Sequence, residues 1–250
     1  MNETRVALVT GGGRGIGAET VRLLAREGYS ICINYVSDRA SAEALEHEVE
    51  SIGTKCIAVQ ADVSVEEDVE RLFNTIDESL GRISLLVNNA GILKQQSRMV
   101  DISAERFSTI LQVNVMSCFL CSKAAVKRMS TKLGGFGGTI VNVSSGAAKS
   151  GSPNEYVDYA ASKGAMDTLT RGLALEVAVE GIRVNGVRPA LIYTDMHASG
   201  GEAERVTRLS SKIPLQRGGQ AIEVAEAIVW LASGKSSFVT GSFIDTTGGL

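Results

Sequence analysis

The sequence predicts a doubly wound α/β fold: one domain, with a seven-stranded parallel sheet and helices on both faces. Three observations lead there. Short, almost wholly apolar runs rich in β-branched residues alternate with longer segments of helical period along the whole chain; no hairpin turn signal joins any two of these runs; and a glycine cluster closes the first run where a helix begins. Strands covered on both faces read as continuous apolar runs. Repeating strand, helix and strand without hairpins implies right-handed crossovers, and therefore a parallel sheet.

The seven predicted strands are "RVALVT", "SICINY", "CIAVQA", "ISLLVNNAG", "GTIVNVSS", "IRVNGVRPA" and "SFIDTTGG". Between them the apolar period changes. Val21, Leu24, Ala25 and Gly28 recur at helical spacing, and Ala42, Leu45, Val49 and Ile52 form a stripe on an otherwise charged helix. In "SVEEDVERLFNTIDESLG", Ser64 and Glu67 are spaced as a capping box ahead of the stripe Val69, Leu72, Phe73, Ile76 and Leu80. No linker or low-complexity tract interrupts the pattern, so residues 1–250 are expected to form one domain. The stretch from Pro189 to Arg208, with "HASGGE" inside it, is expected to be a mobile loop over a site.

Composition narrows the function. In 250 residues, 44% hydrophobic with 3 prolines, there is enough apolar material for a sizeable core. The net charge of -3 comes from 28 acidic and 25 basic residues mixed along the chain, without the basic block that would track nucleic acid or a lipid surface. The N-terminal apolar run is too short for a secretory signal, and no apolar stretch approaches the roughly 20 residues that cross a bilayer. Cys32, Cys56, Cys118 and Cys121 lack the spacing of a disulfide framework, which fits a cytoplasmic setting, and "CFLC" reads as core cysteines within a helix.

The glycine cluster "TGGGRGIG" places Gly11, Gly15 and Gly17 at a strand-to-helix turn. Such a turn lets the backbone approach a pyrophosphate and meet it with the positive end of the helix, near Arg14, Gly15 and Ile16. No Walker lysine follows. At the end of the second strand, an acid would bind the ribose hydroxyl of NAD; here stand Asn34, Tyr35 and Ser37, with Arg14 in the turn, which favours NADP(H). Asp38 leaves NAD open, and Arg14 and Arg39 can also be read as solvated.

"YAASK" sets Tyr159 and Lys163 one helical turn apart, fourteen residues after Ser145 at the end of a strand. Alone, this spacing is weak evidence. Its company is specific: "TGGGRGIG", "ADV" at 61–63, "NNAG" at 88–91, Asn114 in "QVNV", "VSS" ending at Ser145, "YAASK", "RPALIYT" and "VTGSFIDTTGG" occur in one order along the chain. In these motifs the sequence resembles the short-chain dehydrogenase/reductase family over essentially its whole length. It is most similar to the glucose-dehydrogenase-like and ketoacyl-reductase-like branch, within a bacterial oxidoreductase subgroup sharing "VRP", "IYT" and "MHASGGE".

The resemblance implies a Rossmann-type dinucleotide-binding and catalytic domain, with Asn114, Ser145, Tyr159 and Lys163 as a catalytic tetrad. Tyr159 would exchange a proton with a carbonyl or alcohol oxygen, Ser145 would orient that oxygen, and Lys163 would hold the nicotinamide ribose. Asn114 would hold a water linking the lysine to solvent. A nearby ammonium together with the positive charge of the oxidised nicotinamide is expected to lower the phenol toward the working pH. Asp62 and Val63 would flank adenine, Asn89, Ala90 and Gly91 the ribose, and Ile192 and Thr194 the carboxamide.

The implied reaction interconverts a carbonyl and a secondary alcohol on a sugar, a polyol or a small keto compound. The implied assembly is a homotetramer or homodimer built on helices around 105–129 and 157–179 and on the C-terminal strand. Lys94, Gln95 and Gln96 are expected at the substrate mouth. Ser144 and Tyr156 are the neighbours to distinguish from Ser145 and Tyr159; Tyr156 has no lysine four residues on. Two departures from the family pattern stand out: Ala190 where a glycine is usual, a strained position if its φ must be positive, and "DTTGG" at the C-terminal end.

Rival chemistries lack equipment. There is no G-x-S-x-G elbow for a serine hydrolase. The two histidines, His47 and His197, are 150 residues apart, so no metal site is expected. His197 reads either as a solvated loop histidine or as part of the substrate mouth. A non-catalytic dinucleotide-sensing regulator would be expected to have lost Tyr159 or Lys163.

Overall fold

The computed structural model describes residues 5–250. Residues 1–4, which the sequence reading includes in the N-terminal segment and in the domain 1–250, lie outside the described residues. The element order is β1 (Val6–Val9), α1 (Gly15–Arg26), β2 (Ser30–Tyr35), α2 (Arg39–Ser51), β3 (Cys56–Gln60), α3 (Glu66–Ser79), β4 (Leu85–Asn88), α4 (Ala104–Leu111), a π-helical turn (Gln112–Met116), α5 (Ser117–Met129) and β5 (Gly138–Val143). There follow α6 (Ala147–Ser150), α7 (Val157–Val177), β6 (Ile182–Pro189), β7 (Ile192–Tyr193), α8 (Met196–Ser199), α9 (Arg205–Leu209), β8 (Gly219–Gln220), α10 (Ala221–Ala232) and β9 (Phe243–Thr246).

Seven strands form one parallel sheet in the order β3-β2-β1-β4-β5-β6-β9, while β7 and β8 make a separate two-stranded ribbon. All seven were expected from sequence. The pleat of β1 explains their unbroken apolarity. Ala7 and Val9 pack toward Val21, Leu24, Leu45 and Ile228 of α1, α2 and α10, whereas Val6 and Leu8 pack toward Leu72, Phe73, Ile76 and Leu120 of α3 and α5. Both faces of the strand are core. The order reverses between β1, which pairs with β2 on one side, and β4 on the other. Open α/β sheets place their ligand crevice at the carboxyl ends of the strands at such a reversal.

Two sequence expectations need correction. The capping box at Ser64 and Glu67 does not form. Ser64 N–H and Oγ both donate to Asp62 Oδ1, at 3.0 and 2.7 Å, and the helix starts one residue later than that box implies, with Val65 at its cap and Glu66, Glu67 and Asp68 in its first turn. The capping box present is at Gln220 and Glu223, on α10.

The stretch 189–208 is not one loop: it holds β7, α8 and the start of α9, and Arg205 ties it to Glu155 by ion pairing. Ala104–Met129 runs as 26 continuous helical residues, long and apolar enough by length and composition alone to cross a membrane. It carries Glu105, Arg106, Gln112, Asn114, Lys123, Lys127 and Arg128 along its length, and its Leu120, Cys121, Ala125 and Met129 face lies in the core against the sheet.

Candidate active site

The carboxyl ends of β1 and β4 are joined through one hydroxyl. Thr10 Oγ1 accepts from the N–H groups of Asn89 and Ala90, each at 3.0 Å, and Asn89 Nδ2 donates to the carbonyls of Thr10 and Gly11 at 2.9 and 3.0 Å. The glycine turn is packed onto this junction. Gly11 adopts φ +59°, in the left-handed region that only glycine enters freely. A Cβ on Gly17 would lie 2.5 Å from Gly11 O and 2.7 Å from Asn89 Nδ2, so the turn closes only without a side chain there. Helix α1 begins at Gly15, and Arg14 at its cap is extended and offers no side-chain cap, which leaves the first-turn N–H groups without a side-chain acceptor.

In front of this turn lies a cleft of about 440 Å³. It is lined by Gly11, Arg14, Gly15 and Ile16 from the turn, Tyr35 and Ser37 after β2, Asp62 and Val63 after β3, Asn89, Ala90 and Gly91 after β4, and Thr194 after β7. A backbone cradle that a Cβ at Gly17 would disrupt, donors at a helix N-terminus and an exposed guanidinium fit a pyrophosphate-bearing dinucleotide. A second groove of about 660 Å³ runs along the edge strand β3 beside Asp68, Arg71 and Thr75 and shares Asp62 with this cleft.

One residue expected at the cofactor is not brought to this cleft as a side chain. Asn34 is fully buried: Nδ2 donates to Ala61 O at 2.9 Å and Oδ1 accepts from Gly11 N–H at 3.3 Å, so the amide braces the turn from behind instead of facing a ribose. Ile192, expected to offer its backbone to the carboxamide, has its side chain buried against Gly219 of β8. Around Tyr35 and Ser37, Asp38 caps α2, accepting from Ser41 N–H at 3.1 Å and Ser41 Oγ at 2.8 Å, which holds its carboxyl below the usual range. Arg39 pairs with Glu43, whereas the Arg14 side chain has no hydrogen-bond or ion-pair partner among the described residues.

Behind Gly91, Asn114, Ser145, Tyr159 and Lys163 lie close together. A Cβ on Gly91 would sit 3.3 Å from Asn114 Oδ1 and 3.6 Å from Lys163 Nζ, which makes Gly91 the thin wall between cleft and tetrad. Asn114 lies in the π-helical turn, a distortion common at functional positions. Its Oδ1 accepts from Ile92 N–H at 2.8 Å, and Nδ2 donates to Ile92 O at 3.1 Å and to Ser162 Oγ at 3.0 Å. Ser162 in turn donates to Tyr159 O at 2.7 Å.

Lys163 Nζ donates to Val143 O at 2.8 Å and lies 5.5 Å from the centre of the Tyr159 ring. Both side chains are buried. Desolvation brings the ammonium down to about 8, against Cys118 and Asp167, which raise it. Burial lifts the Tyr159 phenol to about 12, with a hydrogen bond to Ser145 acting in the opposite direction. The expected lowering joins the ammonium to the positive charge of an oxidised nicotinamide; in the protein alone, burial is the larger influence on the phenol, and Lys163 is turned toward the β5 carbonyl.

The neighbouring candidates are engaged elsewhere. Ser144 Oγ donates to Asp167 Oδ1 at 2.6 Å, and Tyr156 Oη donates to Gly200 O at 3.2 Å. Ala190 has no positive φ and is unstrained; its methyl faces Gly146 beside Ser145. His197 is not solvated: it is half-buried, desolvation lowers its pKa, and Nδ1 has no partner. Lys94, Gln95 and Gln96 are exposed, and Gln96 donates to Glu202 at 2.8 Å. No group of three or more His, Cys, Asp or Glu residues suited to a metal occurs among the described residues. Sequence reasoning missed Thr10, Ser162 and Asp167; Thr10 precedes the glycines directly, but nothing local marks it as the junction of two turns.

A family model described as enoyl-(acyl carrier protein) reductase matches residues 11–250. "Uncharacterized oxidoreductase YgfF" of Escherichia coli (strain K12) is 57% identical over 244 residues, 98% of this chain and 99% of the relative. The 3-oxoacyl-(acyl-carrier-protein) reductase of Staphylococcus aureus (strain Mu50) is 33% identical over 250 residues, 100% and 99% of the two chains. NADPH-dependent aldehyde reductase 1 of Arabidopsis thaliana is 35% identical over 98% of this chain and 85% of that one. The crystal structure of a dehydrogenase/reductase from Sinorhizobium meliloti 1021 matches with a TM-score of 0.90 at 31% identity, covering 98% of this chain and 94% of the other.

Proposed function

The chain belongs to the short-chain dehydrogenase/reductase family of NAD(P)-dependent enzymes, and from that premise we propose that it interconverts a carbonyl and a secondary alcohol with NADP(H), Tyr159 being the acid/base. The observation that carries this reading is the convergence of a buried phenol, a serine hydroxyl near it and a lysine one turn away, behind the Gly91 wall of a cleft that the glycine turn lines. When bound, the dinucleotide supplies or accepts a hydride at its nicotinamide.

The chain's own groups do the rest. Tyr159 Oη gives a proton to the carbonyl oxygen in reduction and takes one from the alcohol in oxidation. Ser145 Oγ shares the substrate oxygen with Tyr159 and orients it. Lys163 holds the nicotinamide ribose, and its ammonium beside the phenol stabilises the phenolate left after proton donation. Asn114 ties the Ile92 backbone to Ser162 of α7.

Preference for NADP(H) is supported by Arg14, whose guanidinium is uncommitted, and by Asp38, whose carboxylate is occupied in capping α2. A relative at 35% identity is named as NADPH-dependent. The NAD reading is favoured only by the presence of Asp38 on the cleft wall. The substrate class is a sugar, a polyol or a small keto compound, entering past the exposed Lys94, Gln95 and Gln96. Phe107, Met116 and Phe119 are exposed along α4, the π turn and α5, which supports a homotetramer or homodimer, and the four buried cysteines without a disulfide fit a cytoplasmic setting.

The test pairs binding with turnover. Tyr159→Phe and wild type should quench and shift NADPH fluorescence alike, while the variant's NADPH oxidation with a panel of aldehydes and ketones falls by about 10²- to 10⁴-fold. A variant that keeps most of its activity would remove Tyr159 from the mechanism. A wild type that binds NADPH but turns over no carbonyl or alcohol would favour a dinucleotide-sensing role.

A further inference from the structure

Behind the tetrad lies a chain of charges that the proposed chemistry does not use. Asp167 stands one turn beyond Lys163 on α7, so Tyr159, Lys163 and Asp167 lie on one helix face. Its Oδ1 accepts from Ser144 Oγ at 2.6 Å, and its Oδ2 accepts from Arg188 Nε at 2.9 Å and lies 2.8 Å from Nη2. Both residues are buried, at 6% and 8% exposure. The guanidinium lies 3.8 Å over the Phe243 ring, and Nη1 reaches Asp245 Oδ1 at 3.3 Å. The other Asp245 oxygen accepts from Lys149 Nζ at 2.9 Å.

The network therefore grips the strand-end loop on both sides of Ser145: Ser144 just before it, and Lys149 on α6 just after it. It links α7, β5, β6 and β9 at one level of the sheet. It also removes the rival hydroxyl of Ser144 from the pocket and leaves Ser145 alone facing Tyr159.

A buried ion pair is an expensive way to hold elements together, and apolar residues of similar volume often do so equally well or better. What an apolar pair cannot supply here is direction: a fixed carboxylate that accepts from Ser144, and a negative charge one turn from a desolvated ammonium. The charged and titratable groups that face Lys163 are Tyr159 and Asp167 from α7 and Cys118 from α5; Asn114 faces it as a neutral amide. Asp167 is the only carboxylate among them.

We propose that Asp167 and Arg188, tied outward through Asp245 to Lys149, are positioning residues that fix the Ser145 loop and keep Lys163 in its protonated form. The proposal rests on the roles assigned above to Ser145, Tyr159 and Lys163. The sign follows from the geometry: burial opposes the ammonium and Asp167 favours it, so loss of the carboxylate makes Lys163 lose its proton at a lower pH than in wild type.

The experiment compares wild type with Asp167→Leu/Arg188→Met, which removes both buried charges together and leaves Asp245 and Lys149 paired with each other. In the ligand-free proteins, ε-carbon-labelled lysine signals are followed through a pH titration by NMR, with Lys163 assigned from Lys163→Arg. Thermal melting establishes that the double variant folds. The expected result is a titration of Lys163 displaced to lower pH, with kcat for NADPH-dependent reduction of an aldehyde reduced about 100-fold, as for a displaced catalytic group, and KM for NADPH unchanged.

If the double variant does not fold, Asp167→Asn, nearly isosteric, must still displace the Lys163 titration downward. A folded variant with the wild-type titration and the wild-type pH profile of kcat overturns the proposal. A wild type that reduces no carbonyl while the Lys163 titration still moves would instead sink the proposed function and leave the coupling standing.

Discussion

The two sides of the crevice are made of opposite materials. On the β1 side the site is backbone: a glycine turn closed against Asn89, helix N–H groups left open, and a buried amide bracing the turn from behind. On the β5 and β6 side it is buried side-chain chemistry, with a phenol lifted to about 12, an ammonium lowered to about 8 and an ion pair behind them. The difference teaches where each function can be damaged. The first side fails sterically, when a methyl group is added; the second fails electrostatically, when one charge is left without its partner.

The sharpest test of the backbone side is Gly17→Ala. The added methyl meets Gly11 O and Asn89 Nδ2, and neither can retreat without opening the turn. We expect NADPH binding to be lost and stability to fall by about 3 kcal/mol, a drop in Tm of roughly 2–4 °C per kcal/mol in a chain of this size. A variant that binds NADPH normally would mean that the turn is not the pyrophosphate cradle.

Asn34→Ala probes the same side from behind. Ala61 O and Gly11 N–H would lose a buried partner, costing about 1–3 kcal/mol. The ratio of NADPH to NADH affinity should stay as in wild type, because the amide does not face the cleft; a changed ratio in fluorescence titrations would restore Asn34 to the ribose site.

Arg14→Ala should do the reverse at the smallest cost. Stability holds, since the guanidinium has no partner among the described residues, while NADPH binding weakens about tenfold, the equivalent of about 1.4 kcal/mol, and NADH binding hardly changes. Equal loss for both dinucleotides would assign Arg14 to the pyrophosphate and leave Asp38 as the ribose ligand.

Most of the architecture was legible because its signals are local or periodic. Each of the seven strands is a short apolar run and most helices show a stripe, so both survive without knowledge of neighbours. The errors arose where two elements compete for one group. Ser64 was free in the sequence to cap α3, but Asp62 sits two residues away and takes both its donors. Asn34 alternates in the strand like any exposed end residue, yet the glycine turn folds over it.

By itself, the sequence determined the parallel doubly wound sheet, the place of the glycine turn and the tyrosine and lysine at helical spacing, because spacing along a chain dictates which side chains share a face. Only the tertiary structure decided which serine faces the tyrosine, that Asp38 is spent on a helix cap, and that Asp167 meets Arg188 across 21 residues of chain. Burial and hydrogen-bond competition set those outcomes. Both depend on what the other elements bring to the same few ångströms, and no single segment carries that information.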